Sequence, residues 1–150
     1  MASSPVIELK NVTKEYEMGA TKTYALCNVS TKIYKDEYIS VVGPSGSGKS
    51  TMMHIIGCLD TPTTGSVFID GQDVSKLDEN QLAKIRREKI GFIFQFFNLI
   101  PGLTAIENVM LPMRFSGVEK KKAEEHAKML LTKVGLSQRL HHKPSELSGG

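Results

Sequence analysis

The sequence carries one motif whose residue types and spacing predict phosphate chemistry. Residues 43–51 read GPSGSGKST and match the pattern G-x-x-x-x-G-K-[ST]. Glycines in this pattern let backbone N–H groups turn inward around an anion, and the loop leads into the electropositive amino end of a helix. Lys49 would reach the β- and γ-phosphates of a nucleotide, and the Ser50 hydroxyl would complete the shell of a Mg2+ ion. The predicted contact residues are Ser45, Gly46, Ser47, Gly48, Lys49, Ser50 and Thr51.

The residues on either side supply the strand, loop and helix order that such a motif requires. Residues 38–42 form a nearly continuous apolar run, typical of a strand buried on both faces of a parallel sheet, and lead straight into Gly43. A helix is predicted from Lys49 to about Gly57, because the residues after the loop are mostly apolar. In this setting a glycine turn that binds nothing is the less favoured interpretation.

Strand and helix signals alternate through the rest of the first two thirds of the chain. Residues 6–33 contain short alternating apolar runs separated at residues 17–20, which predicts an antiparallel hairpin. A further strand is predicted at 66–70, between two turn signals. The segments predicted next are a helix from Asp78 to about Glu88, capped by Asp78 and Gln81, and a strand at 90–95.

Helical periodicity dominates beyond residue 95. Thr104 and Glu107 have the spacing of a capping box, and Pro112 is expected to mark the other end of the helix that they start. Apolar residues at helical spacing predict a second helix over residues 123–134, which Gly135 would end. This last third therefore reads as all-helical.

These signals predict an α/β fold: a P-loop NTPase core with an N-terminal antiparallel β layer, joined to a C-terminal helical subdomain. Residues 1–95 would hold the β layer and core, and residues 96–150 the helical subdomain. The composition, with 40% hydrophobic and 23% charged residues in 150, excludes a disordered tail and allows a packed core. A net charge of +3 is too small for a dedicated nucleic-acid binder, so no nucleic acid partner is expected.

Cysteine spacing and hydropathy predict the redox compartment and the absence of membrane-targeting segments. Cys27 and Cys58 lie far apart without C-x-x-C spacing, which predicts neither a disulfide framework nor a zinc site and fits a reducing compartment. Residues 1–10 lack the apolar run of a signal peptide, and the most apolar stretch, 90–103, is too short to cross a bilayer. We expect no export signal, no transmembrane helix and no metal other than Mg2+.

Three motifs in a fixed order resemble those of one family. The phosphate loop at 43–51 is followed by Gln95, in the position of a glutamine loop, and by residues 147–150 (LSGG), similar to the start of a signature motif. The chain thereby resembles the first two thirds of the ATP-binding subunit of ABC transporters, ending inside the signature. Residues 57–60 (GCLD) and 97–101 (FNLIP) are similar to the lipoprotein-release and macrolide-export group.

The resemblance implies roles for residues of this sequence outside the phosphate loop. Tyr16 stands where the family places the aromatic ring that stacks on adenine; a hairpin surface tyrosine is the alternative, and Tyr24 is the rival candidate. Gln95 would act with Lys49 in catalysis and place its amide oxygen on Mg2+ or on the attacking water. A strand-end glutamine bonded to backbone is the alternative for Gln95.

The same resemblance implies partners. Ser148, Gly149 and Gly150 would cap the γ-phosphate of an ATP held by a second subunit, in a head-to-tail pair. The apolar loop that starts at Phe96 and Phe97 would lie near a transmembrane permease, although these side chains could equally pack the joint between subdomains. The chain would then be cytoplasmic and peripheral on the inner face of the membrane.

ATP hydrolysis requires groups that the family supplies further along its chain. These groups are an aspartate and a glutamate that end a later strand, and a later histidine, so we expect these 150 residues to bind Mg-ATP without turnover. In the family's sheet the strand before Gly43 also lies beside later strands, so Ile39, Val41 and Val42 are expected to lose part of their cover. The alternative functions are a ribosome- or DNA-associated ATPase of the same type, and a non-catalytic nucleotide-binding fragment. The 53 positions from Gln95 to Ser148 leave no room for long coiled-coil heptads, which argues against the DNA-associated group.

Overall fold

The computed structural model describes residues 4–19 and 21–148. The chain divides into two compact units, residues 1–93 and 94–150. The first unit holds an antiparallel sheet with two helices, and the second is helical. Gly149 and Gly150 of the predicted signature lie outside the described residues.

The sheet of the first unit is built on one long hairpin. The strands β1 (Ile7–Met18) and β2 (Thr21–Ile33) pair antiparallel, as the alternating pattern predicted. On its other side β1 pairs with β3 (Thr64–Ile69), which pairs with the short β4 (Gln72–Asp73), so the order is β2-β1-β3-β4. The central strand of this sheet is therefore β1, which has partners on both sides.

Two helices cover the core of the first unit. The first, α1 (Lys49–Ile56), follows the phosphate loop, and α2 (Glu79–Lys89) begins with the predicted capping box of Asp78 and Gln81. The Asp78 side chain accepts a hydrogen bond from the Gln81 backbone N–H at 2.9 Å, and the Gln81 side chain accepts one from the Asp78 backbone N–H at 3.0 Å. The buried core joins the sheet to both helices through Leu9, Val12, Leu26, Ile55, Cys58, Val67, Ile69, Val74, Leu82 and Ile85.

Two predicted strands are not formed, which corrects the expectation for residues 38–42 and 90–95. Neither segment belongs to the four-stranded sheet found among the described residues. Tyr38 and Val42 are 95% and 89% exposed, and the Ile93 side chain is fully exposed. A strand is stable only when a neighbour takes its backbone hydrogen bonds. Of the three residues expected to lose cover, Ile39 and Val42 are exposed, whereas Val41 is half-buried.

The second unit is a pair of packed helices followed by short turns. Its helices are α3 (Ala105–Phe115) and α4 (Lys120–Lys133), and 3-10 turns follow at Ser137–Arg139 and Pro144–Glu146. The capping box of Thr104 and Glu107 is confirmed. The buried residues of this core are Ala105, Ile106, Met110, Ala123, Ala127 and Leu131.

The end of α3 differs from the prediction. Pro112 lies inside the helix, which continues to Phe115, whereas the sequence suggested that this proline marks its end. A proline lacks an N–H and crowds the preceding turn, but it leaves its own carbonyl free to accept. The Ser116 N–H donates to the Pro112 carbonyl at 3.1 Å, so the last turn closes beyond the ring.

No helix within the described residues is both long and apolar enough to cross a membrane.

Candidate phosphate-binding site

The phosphate loop is a tight turn shaped by two glycines. Gly46 and Gly48 have φ of 79° and 85°, in the left-handed region where a side chain is disfavoured. The Ser47 N–H donates to the Pro44 carbonyl at 3.3 Å, which closes the turn, and Gly48 is the cap residue of α1. The loop therefore has the conformation that its glycine spacing predicted.

Gly48 also seats the loop against strand β2. A Cβ atom added at Gly48 would lie 2.2 Å from the Ala25 carbonyl oxygen and 3.0 Å from Cδ2 of Leu26. Only glycine allows this approach, because those distances are shorter than any ordinary contact of a side chain. The position of the loop is thus fixed by the antiparallel hairpin, through residues about twenty positions earlier in the chain.

Lys49 folds back over the loop that precedes it. Its Nζ atom donates to the carbonyl oxygens of Gly43 and Pro44, at 2.9 and 2.6 Å, and lies 3.4 Å from Oγ of Ser47. None of the described carboxylates forms an ion pair with Lys49. The ammonium charge is held by neutral oxygens and stays available to an anion.

The amino end of α1 adds backbone donors to this charge. The helix has no side-chain cap and no acidic residue in its first turn, and its first internal bond runs from the Met52 N–H to the Gly48 carbonyl at 2.8 Å. The N–H groups of Lys49, Ser50 and Thr51 consequently have no partner within the helix, and the helix dipole adds positive potential at the same end. Such an end is a ready anion site.

A pocket of about 280 Å³ lies over these donors. All the residues that line it are described, and none of them is an aspartate or a glutamate. They are Thr23, Tyr24, Ala25, Ser45, Gly46, Ser47, Gly48, Lys49, Ser50 and Thr51. A cationic, donor-rich hollow without carboxylates is suited to a chain of phosphates. The whole predicted set from Ser45 to Thr51 thus comes together at one place.

Tyr16 lies beside the loop helix. Its phenol hydroxyl donates to Oδ2 of Asp60 at 2.8 Å and hydrogen-bonds to the Thr51 side chain. Burial, followed by the neighbouring Asp60 carboxylate, raises the pKa of the Tyr16 phenol. The residue as a whole is 36% exposed.

The rival tyrosine has a different environment. In the hairpin register Tyr16 pairs with Thr23 and Glu15 pairs with Tyr24, so the two tyrosines point to opposite faces of the sheet. The Tyr24 hydroxyl hydrogen-bonds to Glu15, although the residue also contributes to the lining of the pocket. The contacts with Asp60 and Lys14 distinguish Tyr16 from Tyr24.

The other predicted site residues belong to the second unit. Gln95 is exposed in a bend rather than at the end of a strand, and Ser148, also exposed, is the last described residue. Among the described residues there is no cluster of histidine, cysteine, aspartate and glutamate side chains suited to hold a metal ion. The roles predicted for Gln95 and for Ser148 therefore remain predictions.

Sequence reasoning missed Lys14 and Asp60 as neighbours of the site. In the sequence Asp60 was only part of the four-residue segment 57–60 that resembles the family group, and no motif included Lys14. The contacts of Asp60 with Lys14 and with Tyr16 join positions 46 and 44 residues apart. No local spacing rule reaches across that distance, so only the fold brings these groups together.

A glycine cradle at the amino end of a helix, with a lysine folded over it, is the arrangement that defines the class of P-loop proteins. Within that class, the family model described as ABC transporter matches residues 26–150. The chain belongs to the ABC transporter family, as the order of its motifs suggested.

Similar proteins agree on the family and on the fold. The ATP-binding cassette MJ0796 of Methanocaldococcus jannaschii, solved as a dimer bound to ADP and Pi, is 51% identical, with a TM-score of 0.87 over 95% of this chain and 63% of that one. The macrolide export ATP-binding/permease protein MacB of Hyphomonas neptunium is 51% identical over 97% of this chain and 23% of its own length. The lipoprotein-releasing system ATP-binding protein LolD of Saccharophagus degradans is 46% identical over 99% and 65%. These likenesses confirm the predicted α/β fold class and the group resemblance, and the chain spans less than two thirds of each relative.

Proposed function

We propose that this chain is the nucleotide-binding part of an ABC transporter ATPase, which binds Mg-ATP and couples its binding and hydrolysis to a membrane permease. The observation that carries the proposal is the phosphate loop, in which Lys49 faces neutral oxygens in a pocket free of carboxylates. The family membership supports ATP as the nucleotide, and the ADP and Pi named for the MJ0796 structure are its products.

In this proposal the loop divides the work of holding the phosphates. The backbone N–H groups at the start of α1 surround the phosphate chain, and the hydroxyls of Ser45 and Ser47 add donors. Lys49 leaves the carbonyl oxygens of Gly43 and Pro44 and pairs with the β- and γ-phosphates. The exchange is favourable because a charged acceptor forms a stronger hydrogen bond with an ammonium than a neutral carbonyl does.

Ser50 and Gln95 are the proposed protein ligands of Mg2+. The exposed hydroxyl of Ser50 stands next to the lysine in the same pocket, and hydroxyl and amide oxygens are hard ligands that Mg2+ accepts while it keeps several waters. When bound, the ion would neutralise charge on the β- and γ-phosphates. Gln95 would also orient the attacking water.

A second subunit and a permease are the proposed protein partners. Ser148, Gly149 and Gly150 would contact the γ-phosphate of an ATP held by the other subunit in a head-to-tail pair. The dimeric MJ0796 structure and the transport functions for which MacB and LolD are named support these partners. Attachment to a permease would keep the chain on the cytoplasmic side of the membrane.

We also propose that these 150 residues bind ATP without turning it over. Hydrolysis needs a base or an orienting group near the attacking water, yet no carboxylate lines the phosphate pocket. Steady release of phosphate by the purified chain, lost in Lys49→Ala, would overturn this part of the proposal.

Calorimetric titration with Mg-ATP tests the binding itself. Lys49→Ala should weaken ATP binding by about 10- to 100-fold, because it removes charge-assisted hydrogen bonds to phosphate. The matched control is Lys84→Ala, which removes an exposed lysine of α2 and should leave the affinity unchanged. Equal affinities of Lys49→Ala and the unmodified chain would contradict the proposal.

A further inference from the structure

Asp60 uses both of its carboxylate oxygens to tie three groups together. Oδ2 accepts the hydroxyl of Tyr16 at 2.8 Å. Oδ1 accepts Nζ of Lys14 at 2.6 Å and the backbone N–H of Thr61 at 2.7 Å. Burial by itself would raise the pKa of this carboxyl, but the hydrogen bonds from Lys14, Tyr16 and the Thr61 backbone lower it below its usual value. Asp60 is therefore an ionised acceptor at neutral pH.

Lys14 holds the same tyrosine from a second direction. Its Nζ atom lies over the Tyr16 ring, 5.0 Å from the centroid, and also donates to the Thr61 carbonyl at 2.8 Å. The side chains of Lys14 and Asp60 are only 13% and 28% exposed, so solvent and salt screen this pair less than a surface pair. The Tyr16 ring is therefore held at its hydroxyl by Asp60 and over one face by Lys14.

The cluster is anchored to the helix that carries the phosphate loop. The backbone N–H groups of Leu59 and Asp60 both donate to the His54 carbonyl near the end of α1, at 2.8 and 3.3 Å. The Thr51 side chain, in the first turn of α1, hydrogen-bonds to the Tyr16 phenol. Hydrogen bonds thus connect the Tyr16 cluster to both ends of α1, the helix whose amino end would hold the phosphates.

We propose that Asp60 is a positioning residue for Tyr16: it holds the phenol ring, together with Lys14, in the orientation that stacks on the purine of a nucleotide bound at the phosphate loop. This inference rests on the proposed function and on the stacking role that the family resemblance implies for Tyr16, and it names a residue that acts through Tyr16 without touching the phosphates. A ring that is already oriented loses less side-chain freedom when the base binds, and the saving appears as affinity. The effect must be confined to ligands that carry a base.

Two ligands separate this role from a general structural one. Mg-ATP engages both the loop and the ring, whereas inorganic tripolyphosphate with Mg2+ engages the loop alone. Asp60→Ala should weaken Mg-ATP binding by about 5- to 10-fold and change tripolyphosphate binding by less than about 2-fold, since one lost hydrogen bond to a charged group has effects of this order. Asp60→Asn, which keeps an acceptor oxygen, should fall between Asp60→Ala and the unmodified chain.

Tyr16→Phe provides a second route that leaves the Lys14–Asp60 pair intact. It removes the hydroxyl that Asp60 accepts and that also hydrogen-bonds to Thr51, and it should weaken Mg-ATP binding a few-fold while changing tripolyphosphate binding by less than about 2-fold. In the double variant with Asp60→Ala the losses should not add, because both changes break the same bond. If Asp60→Ala fails to fold, Tyr16→Phe alone decides the question.

The matched controls are Asp70→Ala and Tyr38→Phe. Asp70 forms a 2.6 Å ion pair with Lys89 in the same unit, and Tyr38 is almost fully exposed. Both should bind the two ligands like the unmodified chain.

Each outcome bears on a different statement. Two results would overturn the positioning role. The first is an equal loss of affinity for both ligands in Asp60→Ala. The second is unchanged Mg-ATP affinity in Asp60→Ala and Tyr16→Phe while Tyr16→Ala weakens it, which would leave the stacking role of Tyr16 standing. Unchanged affinity in Lys49→Ala overturns the proposed function itself.

Discussion

The hairpin of the first unit and the segment that leads into the phosphate loop have similar strand-forming residues and opposite outcomes. Strand β1 has a partner on each side, and Leu9 and Val12 within it are almost completely buried. Residues 38–42 are just as apolar, yet they belong to no strand and expose Tyr38 and Val42. The difference shows that residue type provides the tendency to form a strand, and a hydrogen-bonded neighbour decides whether it forms.

The phosphate loop keeps its shape although the segment before it is unpaired. Gly48 packs against Ala25 and Leu26 of β2, and Lys49 closes back onto the carbonyl oxygens of the loop. Helix α1 contributes Ile55 to the buried core. The geometry of the candidate site is therefore set by the hairpin and by local turns, rather than by the segment that leads into it.

Truncation of a side chain in each of the two regions gives the largest expected contrast. Leu9→Ala should lower the free energy of unfolding by about 2–5 kcal/mol, because it leaves a cavity in the core of the paired sheet. Val42→Ala should change it by less than about 0.5 kcal/mol, because that side chain packs against little. Urea unfolding of the two variants measures both values. Similar losses at the two positions would mean that residues 38–42 are covered in solution.

A pair of glycine variants sharpens the role of the hairpin in seating the loop. Gly48→Ala should cost about 2–4 kcal/mol and reduce tripolyphosphate binding, because the added methyl group meets the Ala25 carbonyl in addition to the strain of a positive φ. Gly46→Ala adds its methyl group to open space and should cost only the backbone strain, about 1–2 kcal/mol. Thermal unfolding gives the order of the two variants. Equal costs would indicate that the loop does not press on β2.

The smallest expected effect is the pH dependence of the Asp60 cluster. The folded-state pKa of Asp60 is lowered, so its contribution to stability is present above the unfolded value of about 3.9 and is lost as the pH falls through the folded pKa. The difference in melting temperature between the unmodified chain and Asp60→Asn should correspond to about 1 kcal/mol at pH 7 and should shrink below about pH 4. A difference that stays constant down to pH 2.5 would show that Asp60 has an ordinary pKa.

Features whose atoms lie close together in the sequence could be predicted well. The capping boxes at Asp78 and Thr104, the hairpin and the glycine loop all involve residues a few positions apart or a regular alternation. The predictions of a strand at 90–95 and of a helix end at Pro112 were wrong. A strand depends on a neighbouring strand, and the last turn of α3 depends on the Pro112 carbonyl, which accepts a hydrogen bond from the Ser116 N–H.

The sequence by itself predicted a phosphate-binding loop at residues 43–51, because glycine spacing, one lysine and a helix start occur together within nine residues. Its motif order determined the family. Only the tertiary structure decided that the loop sits on β2, that Tyr16 and Tyr24 lie on opposite faces of the hairpin, and that Asp60 and Lys14 hold the Tyr16 ring. The contacts of Gly48 with β2 and of Asp60 with Tyr16 and Lys14 join residues about 20 to 50 positions apart, and they form only when folding compensates for the entropy of closing such loops.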